Sequence, residues 1–269
     1  MSNMKHTGDT SKFFSDEQYP VRISAGKTLL PCHFRKVHYT VALFRTRLSA
    51  TEKMLQGTRL KAALAWGSDR IVAVGLIKYS DSDLGAYDEV IISIPSIPMH
   101  GKVWFGNWLD MLGPLDKRKV GHFISHIPVT SEFSRAAGNE LWGFPKIVTA
   151  ISHRFQKNAL ESRLWDPEGR LIMECSGKTG FSIPSIPLSL LTYSRKNGRN
   201  LRTCVNVRGR MRLFPAQSLI IRVGDSGHPM AEDLRILGLH GKRPLLVMDS
   251  DRFQAVFREG KLTDDAWDQ

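Results

Sequence analysis

Apolar positions along this chain fall into short, β-branched runs rather than long stripes of helical period. Ile71 to Tyr79 reads Ile-Val-Ala-Val-Gly-Leu-Ile-Lys-Tyr, and Glu89 to Ile94 follows it after a turn-rich segment. Val120 to Val129, Leu201 to Val207 and Ser218 to Val223 predict further strands. Ala159 to Trp165 and Arg170 to Ser176 are joined by Asp166-Pro167-Glu168-Gly169, where proline pre-sets the second position of a hairpin turn. Most connections are too short for a crossover helix. The pattern therefore predicts an α+β, mainly β chain: an antiparallel sheet closed into a barrel or cone with flanking helices.

Helical signals are few. Ser131 to Leu141 has a capping hydroxyl at Thr130 or Ser131, Glu132 in its first turn and Gly143 where a terminating glycine belongs. Ala50 to Leu64, Pro229 to Leu239 and Asp251 to Glu259 are also predicted helical. Residues 1–20 read as a flexible arm and 263–269 as an acidic mobile tail, and no linker divides 21–262, which is predicted to be a single domain. The hexapeptide Ser-Ile-Pro-Ser-Ile-Pro occurs at 93–98 and again at 182–187. Proline at every third position predicts extended backbone at two sheet edges and excludes central-strand pairing.

Composition narrows the function classes. With 42% apolar and 24% charged residues in 269, the chain reads as an ordinary globular protein, which excludes disorder as its main state. No uninterrupted apolar stretch approaches the ~18 residues of a membrane span, so no membrane partner is expected. The polar first residues predict no secretory signal. Cys32, Cys175 and Cys204 match no disulfide or metal spacing and suit a reducing, cytoplasmic compartment. His122 and His126 would share one face of a regular strand, but no third ligand lies at zinc spacing, so no metal is expected. Phosphate loops and nucleophile elbows are absent from the sequence, and no cofactor is predicted.

The charge balance points to anionic partners. Lys and Arg number 38 against 26 acids, a formal net charge of +12. Part of the excess is local, in Arg195, Lys196, Arg199, Arg202, Arg208, Arg210 and Arg212, with no acid among them. On one strand Arg208, Arg210 and Arg212 would share a face. Without interleaved aromatics for base stacking, this stretch predicts a solvated face or subunit contact and no nucleic-acid partner.

The densest chemistry lies between Pro128 and Ile151. After the capped helix and Gly143, Phe144-Pro145-Lys146 opens a strand with Lys146, Val148, Ala150 and Ser152 on one face and Ile147, Thr149 and Ile151 on the other. Both faces look buried, and a lysine there needs a function, because burial favours the neutral, nucleophilic amine.

Gly138-Asn139-Glu140-Leu141-Trp142-Gly143-Phe144-Pro145-Lys146 resembles the Gly-Arg-Glu … Gly-Phe/Tyr-Pro-Lys signature of the acetoacetate decarboxylase family. Leu84-Gly85-Ala86-Tyr87-Asp88-Glu89 is similar to that family's segment bearing an active-site glutamate. The resemblance runs over most of the chain from about residue 20 and implies that family's fold for 21–262. It implies Lys146 as the Schiff-base lysine and Glu89 as the acid/base carboxylate. It also implies a cofactor-free lyase acting on a small anionic oxo acid, and a homo-oligomer. A decarboxylase of a 3-oxo acid such as acetoacetate is one form; an aldolase, dehydratase or cyclase on a 2-oxo acid is another. A non-catalytic barrel holding a small anionic or apolar ligand is the alternative of a different class. Glu140, Trp142, Phe144 and Arg35 are the candidate substrate-binding residues. Three positions differ from the family pattern: Asn139 replaces the signature arginine, Ile147 follows the lysine where the decarboxylases carry a second lysine, and Val74 stands near the family's further glutamate.

Overall fold

In a computed structural model, which describes residues 12–215 and 217–263, seven strands form a closed hydrogen-bonded ring. Cys32–Arg47, Asp69–Ser82, Tyr87–Pro98 and Gly121–Val129 follow one another in antiparallel register. Leu190–Lys196 then pairs in parallel with Gly121–Val129, and Arg199–Arg208 pairs with it in turn. Leu246–Phe257 bonds to both Arg199–Arg208 and Cys32–Arg47, which closes the circuit. The mainly-β reading stands.

The apolar runs owe their length to burial on both faces. In Asp69–Ser82, Ala73, Gly75, Ile77 and Tyr79 line the interior. Val72, Val74 and Leu76 point outward into a second core. That core is completed by a four-stranded sheet, Ile151–Phe155, Ala159–Trp165, Leu171–Lys178 and Ile220–Val223, and by the helix Pro229–Ile236. The hairpin at Asp166–Gly169 forms as its sequence predicts: Gly169 takes φ +83°, and Asp166 accepts from the Arg170 N–H at 2.8 Å.

Several expectations are overturned. The helix predicted over 50–64 ends at Leu55, and Leu60–Ala62 is a strand bonded to Ser96–Pro98. Residues 251–257 belong to the ring strand Leu246–Phe257; cross-strand pairing with Cys32–Val37 outweighs their local helical signal. The first Ser-Ile-Pro copy lies inside a central strand. Pro95 needs no N–H there, and its carbonyl accepts from Ala63 at 2.7 Å. The second copy sits at an edge, pairing with Met211–Leu213. Arg208 and Arg212 fall on different strands across Gly209, and Arg212 is bound to Asp249 at 2.5 Å.

Lys146–Val148 is a three-residue strand parallel to Ile127–Val129, separate from Ile151–Phe155. Val148 is exposed, so this segment is not buried on both faces. Residues 1–11 of the predicted arm and 264–269 of the tail lie outside the described residues. The rest of that arm is packed: Phe14 lies against His33, and Gln18 donates to Asp83 at 2.6 Å. No helix among the described residues is long and apolar enough to cross a membrane.

One irregularity sets the interior. Opposite Ile92 and Ser93 stand His126 and Ile124, which leaves Ser125 as an extra residue, a β-bulge. Because side chains alternate, one inserted residue exchanges the faces beyond it. His122 and Ile124 point inward before the bulge, and Ile127 points inward after it. His126 therefore faces out, bonded to Asp233 at 2.7 Å, and the two histidines do not share a face.

Candidate active site

The ring encloses a cavity of about 70 Å³, lined by side chains from all seven strands and by Trp142, Phe144 and Lys146. At roughly 10–15 Å³ per water, this is room for several solvent molecules or a small organic chain. Most of the lining is apolar or aromatic, including Phe34, Ile77, Ile91, Ile124, Val205 and Phe253.

Local sequence explains how Lys146 reaches this space. Ser131 caps the Glu132–Trp142 helix by accepting from the Ser134 N–H, and Gly143 ends it at φ +61°, a left-handed turn that favours glycine. The Phe144 N–H returns to the Gly138 carbonyl at 3.1 Å, folding the chain back beneath the helix. Lys146 then runs against Gly138 so closely that a Cβ there would lie 2.4 Å from the lysine Cδ. Asn139 fixes the lysine's backbone from both sides, accepting from its N–H at 3.1 Å and donating to its carbonyl at 3.3 Å.

At the end of this path the Lys146 Nζ donates to Glu89 Oε2 at 2.8 Å and to Ser134 Oγ at 2.9 Å. The two charged side chains are 4% and 2% exposed, so each depends on the other for compensation. The Tyr79 hydroxyl donates to Glu89 Oε1 at 3.1 Å. Tyr87 stacks on Tyr79 with centroids 4.4 Å apart, and Nζ lies 5.2 Å from the Tyr87 ring centre. Burial, and then the Glu89 charge, hold both tyrosines well above their ordinary pKa, so each remains an O–H donor. His153 reaches in from the outer sheet to the Glu89 carbonyl at 3.2 Å, and burial lowers its pKa to about 4.

The structure brings Lys146, Glu89, Trp142 and Phe144 together at the cavity. It does not bring Arg35 or Glu140. Phe34 takes the inward position, so Arg35 points outward and pairs with Asp83 at 2.5 Å. Glu140 lies two residues past Gly138, about 200° around the helix, and bonds the Ser24 N–H at 3.0 Å instead. Arg135 pairs with Glu132. Ile147 and Val74 also point away from the cavity lining.

Tyr79, Tyr87, Ser134 and Asn139 escaped the sequence reading. The tyrosines flank the turn before Glu89 at inward parity, a usable signal. Ser134 and Gly138 are four residues apart on the helix face that meets Lys146, which is also readable once that lysine is suspected.

The acetoacetate decarboxylase (ADC) family profile matches residues 18–213. No curated protein matches the chain in sequence. Among solved structures, an acetoacetate decarboxylase from Legionella pneumophila is similar at TM-score 0.63 and 15% identity, covering 98% of each chain. The enduracididine biosynthesis enzyme MppR complexed with pyruvate is similar at TM-score 0.59 and 13% identity, over 87% of this chain and 91% of its own. An acetoacetate decarboxylase-like enzyme from Sphingomonas wittichii RW1 is similar at TM-score 0.59 and 13% identity, over 87% and 92%.

Proposed function

Because this chain belongs to the acetoacetate decarboxylase family, we propose that it is a lyase whose Lys146 amine forms an imine with the ketone of a 3-oxo acid and releases carbon dioxide. The observation that carries the reading is the 2.8 Å contact between Lys146 Nζ and Glu89 Oε2, made between nearly inaccessible side chains at an apolar cavity. Glu89 takes a proton from the ammonium group and frees the amine, which attacks the ketone carbon. Loss of water gives a protonated imine. The bond to the carboxylate carbon then breaks, carbon dioxide leaves, and the electron pair moves to the imine nitrogen as an enamine. Glu89, which spent its first proton on the departing water, relays a second from solvent to the enamine carbon, and water hydrolyses the imine to release the ketone and the protonated amine.

The lining favours decarboxylation over chemistry on a 2-oxo acid. Among the described lining residues Lys146 is the only lysine or arginine. A 2-oxo acid keeps its carboxylate through aldol or dehydration steps and needs a second cation to hold it in an apolar site. A 3-oxo acid sheds that charge as carbon dioxide.

The test is a panel of 3-oxo and 2-oxo acids incubated with borohydride and read by peptide mass spectrometry. A mass gain at Lys146 with 3-oxo acids, absent in Lys146→Arg, is the expected result; the guanidinium stays protonated and forms no imine. A wild-type protein that traps no member of the panel would overturn the reading in favour of a non-catalytic ligand pocket.

A further inference from the structure

The cavity does not end at Lys146. Glu89, Ile91 and Ser93 are successive inward positions of one strand, and four residues of extended chain place Ser93 roughly 13 Å from Glu89. There the lining turns polar again. Ser93 Oγ and His122 Nδ1 are 3.1 Å apart, and Thr192, hydrogen-bonded in register beside His122, completes the group.

These groups have hydrogen-bonding capacity to spare. No described residue engages His122 Nε2, and Thr192 Oγ1 reaches only the Thr203 carbonyl, at a long 3.5 Å. Whichever partner donates in the Ser93–His122 bond, Nε2 is left with a donor or an acceptor for the cavity. Burial and the nearby Arg118 charge lower the His122 pKa to about 4, so the ring is neutral at ordinary pH. A neutral histidine among apolar walls suits an uncharged hydroxyl, carbonyl or amide and does not suit a second carboxylate or a phosphate.

The geometry points to a distal subsite, formed by His122, Ser93 and Thr192, that takes an uncharged polar group at the far end of a substrate whose ketone lies at Lys146. This deepens the reading of Lys146 and rests on it for the position of the ketone. It assigns the substrate class: 3-oxo acids with an extended, mostly apolar chain ending in a hydrogen-bonding group. About 70 Å³ drawn out along this length is a channel one chain wide. Acetoacetate is too short to reach from Lys146 to these groups.

Two probes test the proposal: a straight-chain methyl ketone long enough to span from Lys146 to His122, and the same ketone with a terminal hydroxyl. Their affinities are measured by calorimetry for wild type, His122→Leu and Ser93→Ala, with melting curves to establish folding. The expected result is a wild-type preference for the hydroxylated probe of about five- to tenfold, the worth of one hydrogen bond. His122→Leu should abolish that preference and Ser93→Ala should reduce it. Equal wild-type affinities, no binding of either probe, or a preference unchanged in a folded variant would each overturn the subsite. Borohydride trapping on the same samples reports separately on the lysine. Preferential binding without trapping keeps the subsite and removes the imine, and trapping without preference does the reverse.

Discussion

The Lys146 ammonium and the Glu89 carboxylate, 57 residues apart in sequence, meet at 2.8 Å inside a closed ring of strands. Each is nearly inaccessible, so each charge is compensated by the other. Truncating one partner strands the other in an apolar site, which costs about 3–5 kcal/mol. We expect Lys146→Ala and Glu89→Ala each to lose stability on that scale. Lys146→Met combined with Glu89→Leu should recover most of the loss. Urea denaturation of the four proteins checks this, and additive single-site losses would contradict it.

Glu89→Gln keeps the shape of the site and one of its two accepting oxygens but removes proton transfer. Turnover should fall by about 10²–10⁴-fold, while borohydride trapping at Lys146 persists. Unchanged turnover, or loss of trapping as well, would remove Glu89 from the proton-transfer role.

Gly138→Ala tests the approach of helix and lysine. Alanine normally strengthens a helix by about 1 kcal/mol over glycine. Here the new methyl would stand 2.4 Å from Lys146 Cδ. The lysine must move, so we expect imine formation to slow at least tenfold with Lys146 and Glu89 both intact. Single-turnover trapping rates provide the measurement; a wild-type rate would show that the lysine relocates freely.

Acid should destabilise the fold before the carboxylates titrate. His122 and His153 are held neutral by burial, with pKa values near 4 in the native state and about 6.5 when unfolded. Between those values the unfolded chain binds protons that the native chain does not, so stability falls as pH drops through that window. The loss is complete below about pH 4 and amounts to about 3 kcal/mol per histidine. Melting temperatures from pH 7 to 4 should decline steeply, and His153→Gln should flatten the decline. A flat profile in the wild type would show that these rings titrate freely.

Much of this architecture was legible because strands buried on both faces leave long β-branched runs, and because capping and turn residues mark the Glu132–Trp142 helix and the Asp166–Gly169 hairpin. Lys146 and Glu89 were legible as motif residues, not from periodicity. Arg35, Glu140 and His126 were misplaced for one shared reason. Their side-chain directions depend on strand parity or helix phase, and parity is reset by bulges that leave no local signature. Residues 251–257 were misread because their strand is specified by a partner more than 200 residues away. Tyr79, Tyr87 and Ser134 gain meaning only when ring closure brings three separate elements to one amine.

The bulge at Ser125 has a bearing on how such a protein can change. Around it the ring strand divides into two segments with opposite parity, one presenting His122 and Ile124 to the interior and the other Ile127, the neighbour of Lys146. A substitution alters one wall position at a time. Deleting Ser125 would alter none: His126 would follow Ile124 directly, alternation would run unbroken, and His122, Ile124 and Ile127 would all keep facing the interior. Length variation at this point thus changes the bend and twist of the strand while leaving its wall residues and the amine's own helix and turn in place, and sequence comparison across it must respect the inserted residue to compare walls that face the same space.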